Sequence, residues 1–368
     1  MDSLFDKASR AWFSISNLIY RDKRMSYKRA SQLFNSLISP IVLYASEYWF
    51  PFSLAKKSLS TKDKLLQSWD QFRAEVLQQK FCRLFLSVMK KTSRLATLGE
   101  LGLLPMWCKA LQLTLKYDWS LRNRGNDGTL LASAMVEMAE LATRGVDCWV
   151  FRMDKIKELL NIKPFHRAVK SKVVGTKIHK IVKGNFDRFF LDSINKVVKN
   201  NCTCPRDHNK LRFYKKFKGS FTCEPYIEMV NNRNQRQFLS RFRVSSHRLR
   251  VETGRWTFPK TVYEDRICLY CNTGAVDTEL HCIIECALTE NNRNRFFNIL
   301  CGLNPSFLDL SNESKLAKIL CPCDPVCAKL SNKYLELIVK TRDLFDKGKP
   351  VDSVPLISLG VDGIELIQ

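Results

Sequence analysis

The chain has 368 residues, of which 45% are hydrophobic and 11% aromatic. This composition is typical of a globular protein and excludes a disordered chain. The length is sufficient for about two domains, each with its own hydrophobic core. Sixty Lys and Arg against 36 Asp and Glu give a net charge of +24, which favours a polyanionic partner, nucleic acid first and an anionic membrane surface second. No run of eighteen apolar residues exists, so the sequence excludes a transmembrane helix.

Two further features of the whole chain predict an intracellular protein. The N-terminal residues 1–6 lack the basic-then-apolar order of a secretion signal. Fourteen cysteines without such a signal indicate a reducing compartment and metal binding instead of disulfides. We therefore expect a protein of the nucleus or the cytoplasm, with no membrane partner and no small-molecule substrate.

Residues 1–160 are predicted to form a mostly helical bundle with short connections. One face of the first helix carries the apolar residues Leu4, Ala8, Trp12, Ile15 and Ile19. A second helix is capped by Ser26, and Pro40 kinks or divides it.

The later helices of this bundle are bounded by capping residues, proline and glycine. A long helix is expected from Ser60 or Thr61 to about Met89, because its apolar residues recur every three or four positions. A short helix ends near Gly102, Pro105 begins the next, and a helix over 130–144 stops at Gly145.

Most of the positive charge lies in two stretches after this bundle. Residues 163–218 contain sixteen Lys or Arg against three Asp, and residues 233–260 contain eight against Glu252 alone. Together they carry +20 of the +24 in 84 residues. Charge concentrated in this way is typical of a surface that binds a polyphosphate.

Aromatic residues are interleaved with this charge. They are Phe186, Phe189, Phe190, Phe213, Tyr214, Phe217, Phe221, Phe238, Phe242, Trp256 and Phe258. Such rings can stack on unpaired bases while the cations follow the backbone. The alternative is a helical core with a basic outer face, and for any single ring core packing is the expected role. The candidate nucleic-acid contacts are Arg241, Arg243, Arg248, Arg250, Arg255, Trp256, Lys215 and Lys216.

A short stretch near the C-terminal end has the spacing of a metal site. Cys268 and Cys271 are separated by two residues, and His281 and Cys286 follow. Three thiolates and one imidazole form a closed tetrahedral set that leaves no position for water, so the sequence predicts a structural Zn²⁺ and no metal chemistry. Cys282 is expected to pack as an apolar residue. The alternative is four unligated residues in a cysteine-rich chain.

Weaker patterns also contain metal ligands. Cys202, Cys204, His208 and Cys223 could form a second zinc site, and Cys321, Cys323 and Cys327 would need a fourth ligand from elsewhere. Ordinary free thiols are the alternative for both.

Three residues of the second basic stretch have other predicted roles. His247 is expected to be a hydrogen-bonded structural residue, although it could also touch phosphate. Glu252 is expected to orient Arg250 or Arg255 through a bidentate pair, and Gly254 is expected to form a turn.

These residues carry a resemblance to a known family. Residues 211–290 resemble the C-terminal zinc-binding region of non-LTR (LINE-type) retrotransposon reverse transcriptases, through residues 211–217, 241–250, 251–256 and 277–286. Residues 39–49 and 98–105 are similar to the part that follows the polymerase palm in that family. The resemblance implies a helical thumb, a connecting region and a zinc module that grips template RNA and target DNA, with Cys268, Cys271, His281 and Cys286 as ligands.

The residues that nucleotidyl transfer needs are missing. Two metal ions must be held by several carboxylates, which the family supplies from a Tyr-x-Asp-Asp turn and a further aspartate. This chain contains no Asp-Asp pair, and its only adjacent acidic residues are Glu264 and Asp265. The sequence therefore predicts a non-catalytic, RNA- or DNA-binding C-terminal part of such an enzyme. The alternatives are a subunit that needs a separate polymerase-bearing chain, and a helical protein-interaction scaffold.

The predicted fold is mainly α. A thumb-like helical bundle (1–160) leads through a basic connector (161–240) into a small CCHC zinc-binding module (241–300). C-terminal helices (301–345) follow, because Leu330, Tyr334 and Ile338 share a helical face. Residues 346–368 are predicted to form a loose tail, because they are rich in Gly, Pro and Asp.

Overall fold

The computed structural model describes residues 2–124, 129–165, 169–195 and 210–350, and the backbone of 356–360 and 363–367. In these parts the chain is mainly helical, as predicted, with one pair of short strands. The twelve cysteines described are all free thiols. None of the helices in the described ranges combines the length and apolar character that crossing a membrane requires.

The described helices follow one another with short connections. The α-helices up to residue 195 are α1 Asp2–Arg21, α2 Tyr27–Leu37, α3 Ser39–Val42, α4 Ser46–Ser53, α5 Lys62–Gln67, α6 Glu75–Leu86, α7 Arg94–Leu101, α8 Met106–Arg124, α9 Leu130–Thr143, α10 Trp149–Leu159 and α11 Ser171–Asn195. Those after residue 210 are α12 Tyr214–Phe217, α13 Pro225–Met229, α14 Gln237–Arg243, α15 Arg250–Thr253, α16 Glu290–Leu303, α17 Asn312–Leu320 and α18 Pro325–Asp346. Short 3₁₀ turns lie at Lys56–Leu59, Ser68–Gln71, Arg233–Gln235, Ala287–Thr289 and Pro305–Phe307.

Most of the predicted helix boundaries are confirmed. The face of α1 that buries Ala8, Trp12, Ile15 and Ile19 is the one that the sequence predicted. The Ser26 hydroxyl accepts a hydrogen bond from the backbone amide of Arg29 (3.3 Å) at the start of α2. The α9 helix ends before Gly145, whose φ of +76° is easily reached only by glycine.

The long helix predicted from residue 60 or 61 to about Met89 is wrong. The chain leaves helical backbone at Phe72 (ψ 120°) between α5 and α6, which lets the Phe72 ring stack on Trp49 at 5.8 Å. The restart at α6 places Glu75 Oε1 2.9 Å from the Trp107 amide, which donates to it at the start of α8. Tertiary contacts therefore override the continuous apolar stripe of the sequence.

The chain forms two compact units. The first comprises Met1–Leu18, Ser31–Phe81 and Gly102–Ser193. It therefore includes most of α11, which was predicted to belong to the basic connector. The reason is packing, because Phe186 on α11 is buried with its ring 6.1 Å from Trp69.

The second unit comprises Ile19–Ala30, Cys82–Leu101 and Ile194–Gln368. Residues 82–101 lie here and not in the predicted N-terminal bundle. In its core, Tyr334 of α18 stacks on Phe296 of α16 with ring centroids 4.3 Å apart, and the Tyr334 hydroxyl donates to the Ile283 carbonyl at 2.6 Å. The α18 helix thus packs directly behind the segment that carries the candidate metal ligands.

The C-terminal residues contain a hairpin that the sequence analysis did not predict. The strands β1 Leu356–Gly360 and β2 Gly363–Ile367 pair antiparallel, with Leu356 opposite Ile367 and Gly360 opposite Gly363. The tail is rich in Gly, Pro and Asp, which indicated a loose segment, but its two strands contain six Leu or Ile residues.

Candidate metal centre and basic surface

The first two candidate ligands lie on a small backbone hairpin. Ile267 and Val276 form an isolated antiparallel bridge, and the Cys268 amide donates to the Ala275 carbonyl at 2.8 Å. The turn between them closes at Gly274, which has a φ of +66°. Cys268 and Cys271 therefore leave the same turn on the same side, as their two-residue separation predicted.

The other two ligands lie at the ends of a single π-helical turn. His281–Glu285 is π-helical, and the Cys286 amide donates to the His281 carbonyl at 2.8 Å. The wider turn of a π-helix carries one residue more than an α-helical turn and is often found at functional sites. Here it places the side chains of His281 and Cys286 together.

The four side chains meet in the geometry of a metal site. The three sulfurs and one ring nitrogen all lie within 4.8 Å of one another. Cys268 Sγ lies 3.9 Å from Cys286 Sγ, and Cys271 Sγ lies 3.3 Å from His281 Nε2. A tetrahedral zinc ion with Zn–S bonds of 2.3 Å separates its sulfurs by about 3.8 Å. The Cys₃His cluster could therefore hold a metal ion, and its donor set fits zinc.

The closeness of the thiols moves their pKa values apart. The contact with the Cys268 thiol lowers the pKa of Cys286 to about 3, and the same contact raises the pKa of Cys268. Cys286 is therefore the thiol of this pair that ionises first, and the thiolate is the form of cysteine that binds metal.

A buried arginine and aspartate support the cluster from α18. Arg342 Nη2 lies 2.9 Å from Asp277 Oδ1, and Arg342 Nη1 donates to Asp277 Oδ2 at 3.1 Å. The same Nη2 lies 3.9 Å from Cys268 Sγ. A divalent ion with three thiolates would carry a net charge of −1, and the Arg342 guanidinium, which is shared with Asp277, would offset part of it. His281 Nδ1 faces the Glu285 carboxylate at 3.7 Å.

Arg342→Lys is expected to weaken metal binding by about tenfold, as loss of a group behind the ligands usually does. Lysine keeps the charge but cannot reach both Asp277 oxygens and Cys268 at once. Competition with a chromophoric chelator measures the change in affinity. Lys340→Gln is the control, because Lys340 is exposed on the same helix and pairs with Glu336. Wild-type zinc affinity in Arg342→Lys would contradict a role for Arg342 in this site.

Arg243 is wrongly predicted as a nucleic-acid contact. Its side chain is fully buried, with Nε and Nη2 each 3.0 Å from a carboxylate oxygen of Glu100. A second carboxylate, from Glu224, also pairs with it. A buried guanidinium that already pairs with two carboxylates cannot reach a phosphate.

The other residues predicted to contact nucleic acid differ in their exposure and in their ion-pair partners. Arg248 is exposed, whereas Arg241 is half-buried and donates through Nε to the Ser87 carbonyl at 2.8 Å. Arg255 pairs with buried Glu252 (3.3 Å), and Lys216 pairs with Glu313 (2.8 Å). Arg250 and Lys215 are half-buried.

Most of the eleven rings pack inside the protein. Phe186, Phe189, Phe190, Tyr214, Phe221 and Phe242 are buried, and Phe213, Phe217 and Phe238 are half-buried. Trp256 is 64% exposed, and Phe258 is fully exposed. These two rings are therefore the most exposed of the eleven.

His247, Glu252 and Gly254, in the second basic stretch, have structural roles. His247 Nε2 lies 3.0 Å from buried Glu279, so the structural interpretation is confirmed. Glu252 does pair with Arg255, but its other oxygen accepts from Arg212 at 3.0 Å, so the pair is not bidentate. Gly254 lies in a turn where a Cβ would come within 2.8 Å of the Arg266 side chain.

The weaker metal patterns receive no support in the described chain. Cys202, Cys204 and His208 lie outside the described residues, and burial raises the pKa of Cys223 to about 12. Cys321 lies 2.9 Å from Arg243 Nη1. Within the described ranges, the Cys₃His cluster is the group that brings three or more ligands together.

One basic segment was missed by the sequence analysis. Lys91 Nζ lies 4.5 Å from the centroid of the Trp256 ring, and Lys210 Nζ donates to the Lys91 carbonyl at 3.2 Å. The adjacent Met89 amide donates to Ser246 Oγ at 2.9 Å. Residues 87–92 thus run beside both halves of the second basic stretch. We call the cations that meet along residues 87–92 the basic strip. They are Lys90, Lys91, Lys210, Arg241, Arg248 and Arg255.

The site therefore consists of a Cys₃His cluster beside a strip of cations and two exposed rings. The four clustered side chains could hold a metal ion, and the cations could attract an anion. No protein family model, no curated protein and no solved structure matches this chain.

Proposed function

We propose that the chain is a zinc-stabilised, non-catalytic nucleic-acid-binding protein. RNA or DNA would lie on the basic strip, with zinc in the cluster of Cys268, Cys271, His281 and Cys286. The observation that carries the proposal is the convergence of cations from three separate parts of the chain along residues 87–92. The resemblance to the C-terminal part of LINE-type reverse transcriptases supports the same function.

The metal is proposed as zinc because of the donor set and its role. Three thiolates and one imidazole with no open position are typical of structural zinc. When bound, the ion would hold the turn at residues 268–275 against the π-helical turn at 281–285. A reducing intracellular compartment, nuclear or cytoplasmic, suits the free cysteines.

The strip has the electrostatics of an anion-binding surface. Burial lowers the pKa of Arg241, and the neighbouring charge of Arg248 lowers it further. Burial likewise lowers the pKa of Lys210, while the charge of Glu252 opposes this shift and the charge of Arg255 adds to it. The neighbouring cations Arg241 and Arg248 repel each other until a polyanion neutralises them, so a phosphate that bridges these two residues would be bound favourably.

Replacing Lys90, Lys91 and Arg248 together by Gln is expected to weaken binding of a 20-nucleotide RNA or DNA by about tenfold or more at low ionic strength. Each phosphate contact releases counterions, so the slope of log K against log salt should fall by roughly two to three. Fluorescence anisotropy across a salt series measures both quantities.

The matched control replaces Lys318, Lys347 and Lys349 by Gln, since these lysines are exposed in the same unit and do not belong to the basic strip. An equal loss of affinity in both variants would mean that net charge alone drives binding. Unchanged binding by the first variant would remove the strip from the proposal. Absence of binding by the wild-type protein at low salt would favour a protein-interaction scaffold.

A further inference from the structure

The two exposed rings lie on one short loop, which we call the aromatic loop, residues 255–261. Trp256 is 64% exposed and Phe258 fully exposed. Large apolar side chains left in water at two positions of one loop are unusual unless they contact a partner. The loop lies next to the basic strip, because Lys91 Nζ is 4.5 Å from the Trp256 ring centroid.

The loop is held in place by the backbone and by one buried arginine. The Thr261 amide donates to the Gly254 carbonyl at 3.2 Å, which closes the loop. Arg266 is buried, and its guanidinium donates to the Thr261 carbonyl (2.8 Å from Nη2) and to the Val251 carbonyl (3.0 Å from Nη1). These bonds clamp the end of the loop to α15, which precedes it.

The same arginine connects the loop to the candidate metal centre. The Asp277 amide donates to the Arg266 carbonyl at 2.9 Å, and the hairpin that carries Cys268 begins there. Gly254 allows the Arg266 side chain to pass, since a Cβ at this position would come within 2.8 Å of it. The position of the two rings therefore depends on a segment that the metal would stabilise.

We infer that the aromatic loop is a stacking platform for unpaired nucleotides. It would give the basic strip a preference for single-stranded RNA or DNA over a duplex. A base whose faces are free can stack on an indole or phenyl ring while Lys91 and Lys210 contact its phosphates. In a duplex both faces of each base are already covered by neighbouring pairs. This inference rests on the proposed function and names the class of nucleic acid that the same surface selects.

The test compares single-stranded and duplex forms of one 16-mer with wild-type protein, Trp256→Ala, Trp256→Phe and Phe258→Ala. Trp256→Ala is expected to weaken single-strand binding by about tenfold, because stacking on an aromatic ring contributes strongly for each base. Duplex binding should change less than twofold. Trp256→Phe should recover most of the lost affinity, since a phenyl ring also offers a stacking face.

The outcomes separate this inference from the proposed function. If Trp256→Ala and Phe258→Ala bind single strands as the wild type does, the platform does not exist, although the strip can still bind phosphates. An equal loss for both strand forms would also overturn the preference. If the wild-type protein binds neither form at low salt, the proposed function itself fails. Zinc content and the thermal unfolding midpoint of each variant show that the fold is intact, as expected for exposed side chains.

Discussion

Cys286→Ser is expected to abolish stoichiometric zinc binding and to unfold the segment between Arg266 and Cys286. This segment has one isolated backbone bridge and one π-helical turn as its regular structure, too little to stay folded by hydrogen bonding alone. Structural zinc contributes about 10–16 kcal/mol in small zinc-binding peptides. Even a fraction of that energy exceeds what these contacts supply.

The consequence should extend beyond the metal ligands. Cys286 is buried, and its carbonyl accepts from Arg293 Nη1 at 2.7 Å, on α16. Tyr334 of α18 bonds to the Ile283 carbonyl within the π-helical turn. Loss of a bound ion would therefore release the contacts of two helices, and we expect the unfolding midpoint to fall by about 10 °C or more, which corresponds to a few kcal/mol.

Metal analysis and thermal denaturation, with and without a strong chelator, measure this effect. Cys282→Ala is the matched control, because Cys282 is the adjacent buried thiol and does not belong to the cluster. It should keep one equivalent of zinc, with a modest loss of stability from packing. A Cys286→Ser protein that retains full zinc, or a wild-type protein indifferent to chelation, would rule out a structural metal site here.

Arg243→Met is expected to destabilise the second unit by about 3–5 kcal/mol, because it leaves the buried Glu100 carboxylate without its cation. Glu100 is completely buried. Its Oε2 also accepts from the Tyr226 hydroxyl at 2.6 Å. Three elements therefore meet at this charge cluster, namely α7 through Glu100, α13 through Tyr226 and α14 through Arg243.

Urea denaturation measures the free energy of unfolding of this variant. Arg248→Met is the control, since Arg248 is exposed and only five residues further along the same basic stretch. It should change stability by less than about 0.5 kcal/mol while reducing nucleic-acid affinity. Arg243→Met should show the opposite pattern at temperatures where it stays folded. If both variants unfold at the same urea concentration as the wild type, the buried pair does not stabilise the unit.

The Cys₃His cluster was predictable because its four residues lie close together in the sequence. Cys268, Cys271, His281 and Cys286 lie within 19 residues, and a hairpin followed by one helical turn is enough to bring them together. Arg342 could not be predicted, because it reaches Cys268 from 74 residues away. Nothing in the spacing of α18 distinguishes it from the other cations of that helix.

The proposed nucleic-acid surface, in contrast, depends on contacts between residues far apart in sequence. The sequence indicated a basic stretch with interleaved rings, but not which members face solvent. Arg243 and Arg248 look alike in the sequence. Yet Arg243 is neutralised by Glu100, 143 residues away, whereas Arg248 is exposed. Lys90 and Lys91, which precede α7, join the strip only because residues 87–92 pack beside Ser246 and Trp256.

By itself the sequence determined the helical class, most helix ends and the four candidate ligands, since these depend on periodicity, capping and short spacings. Only the tertiary structure decided which cations and rings are available to a partner and where the long apolar stripe of residues 61–89 breaks. The physical reason is that burial and charge pairing are set by groups distant in sequence, and the strength of such contacts overrides local preference.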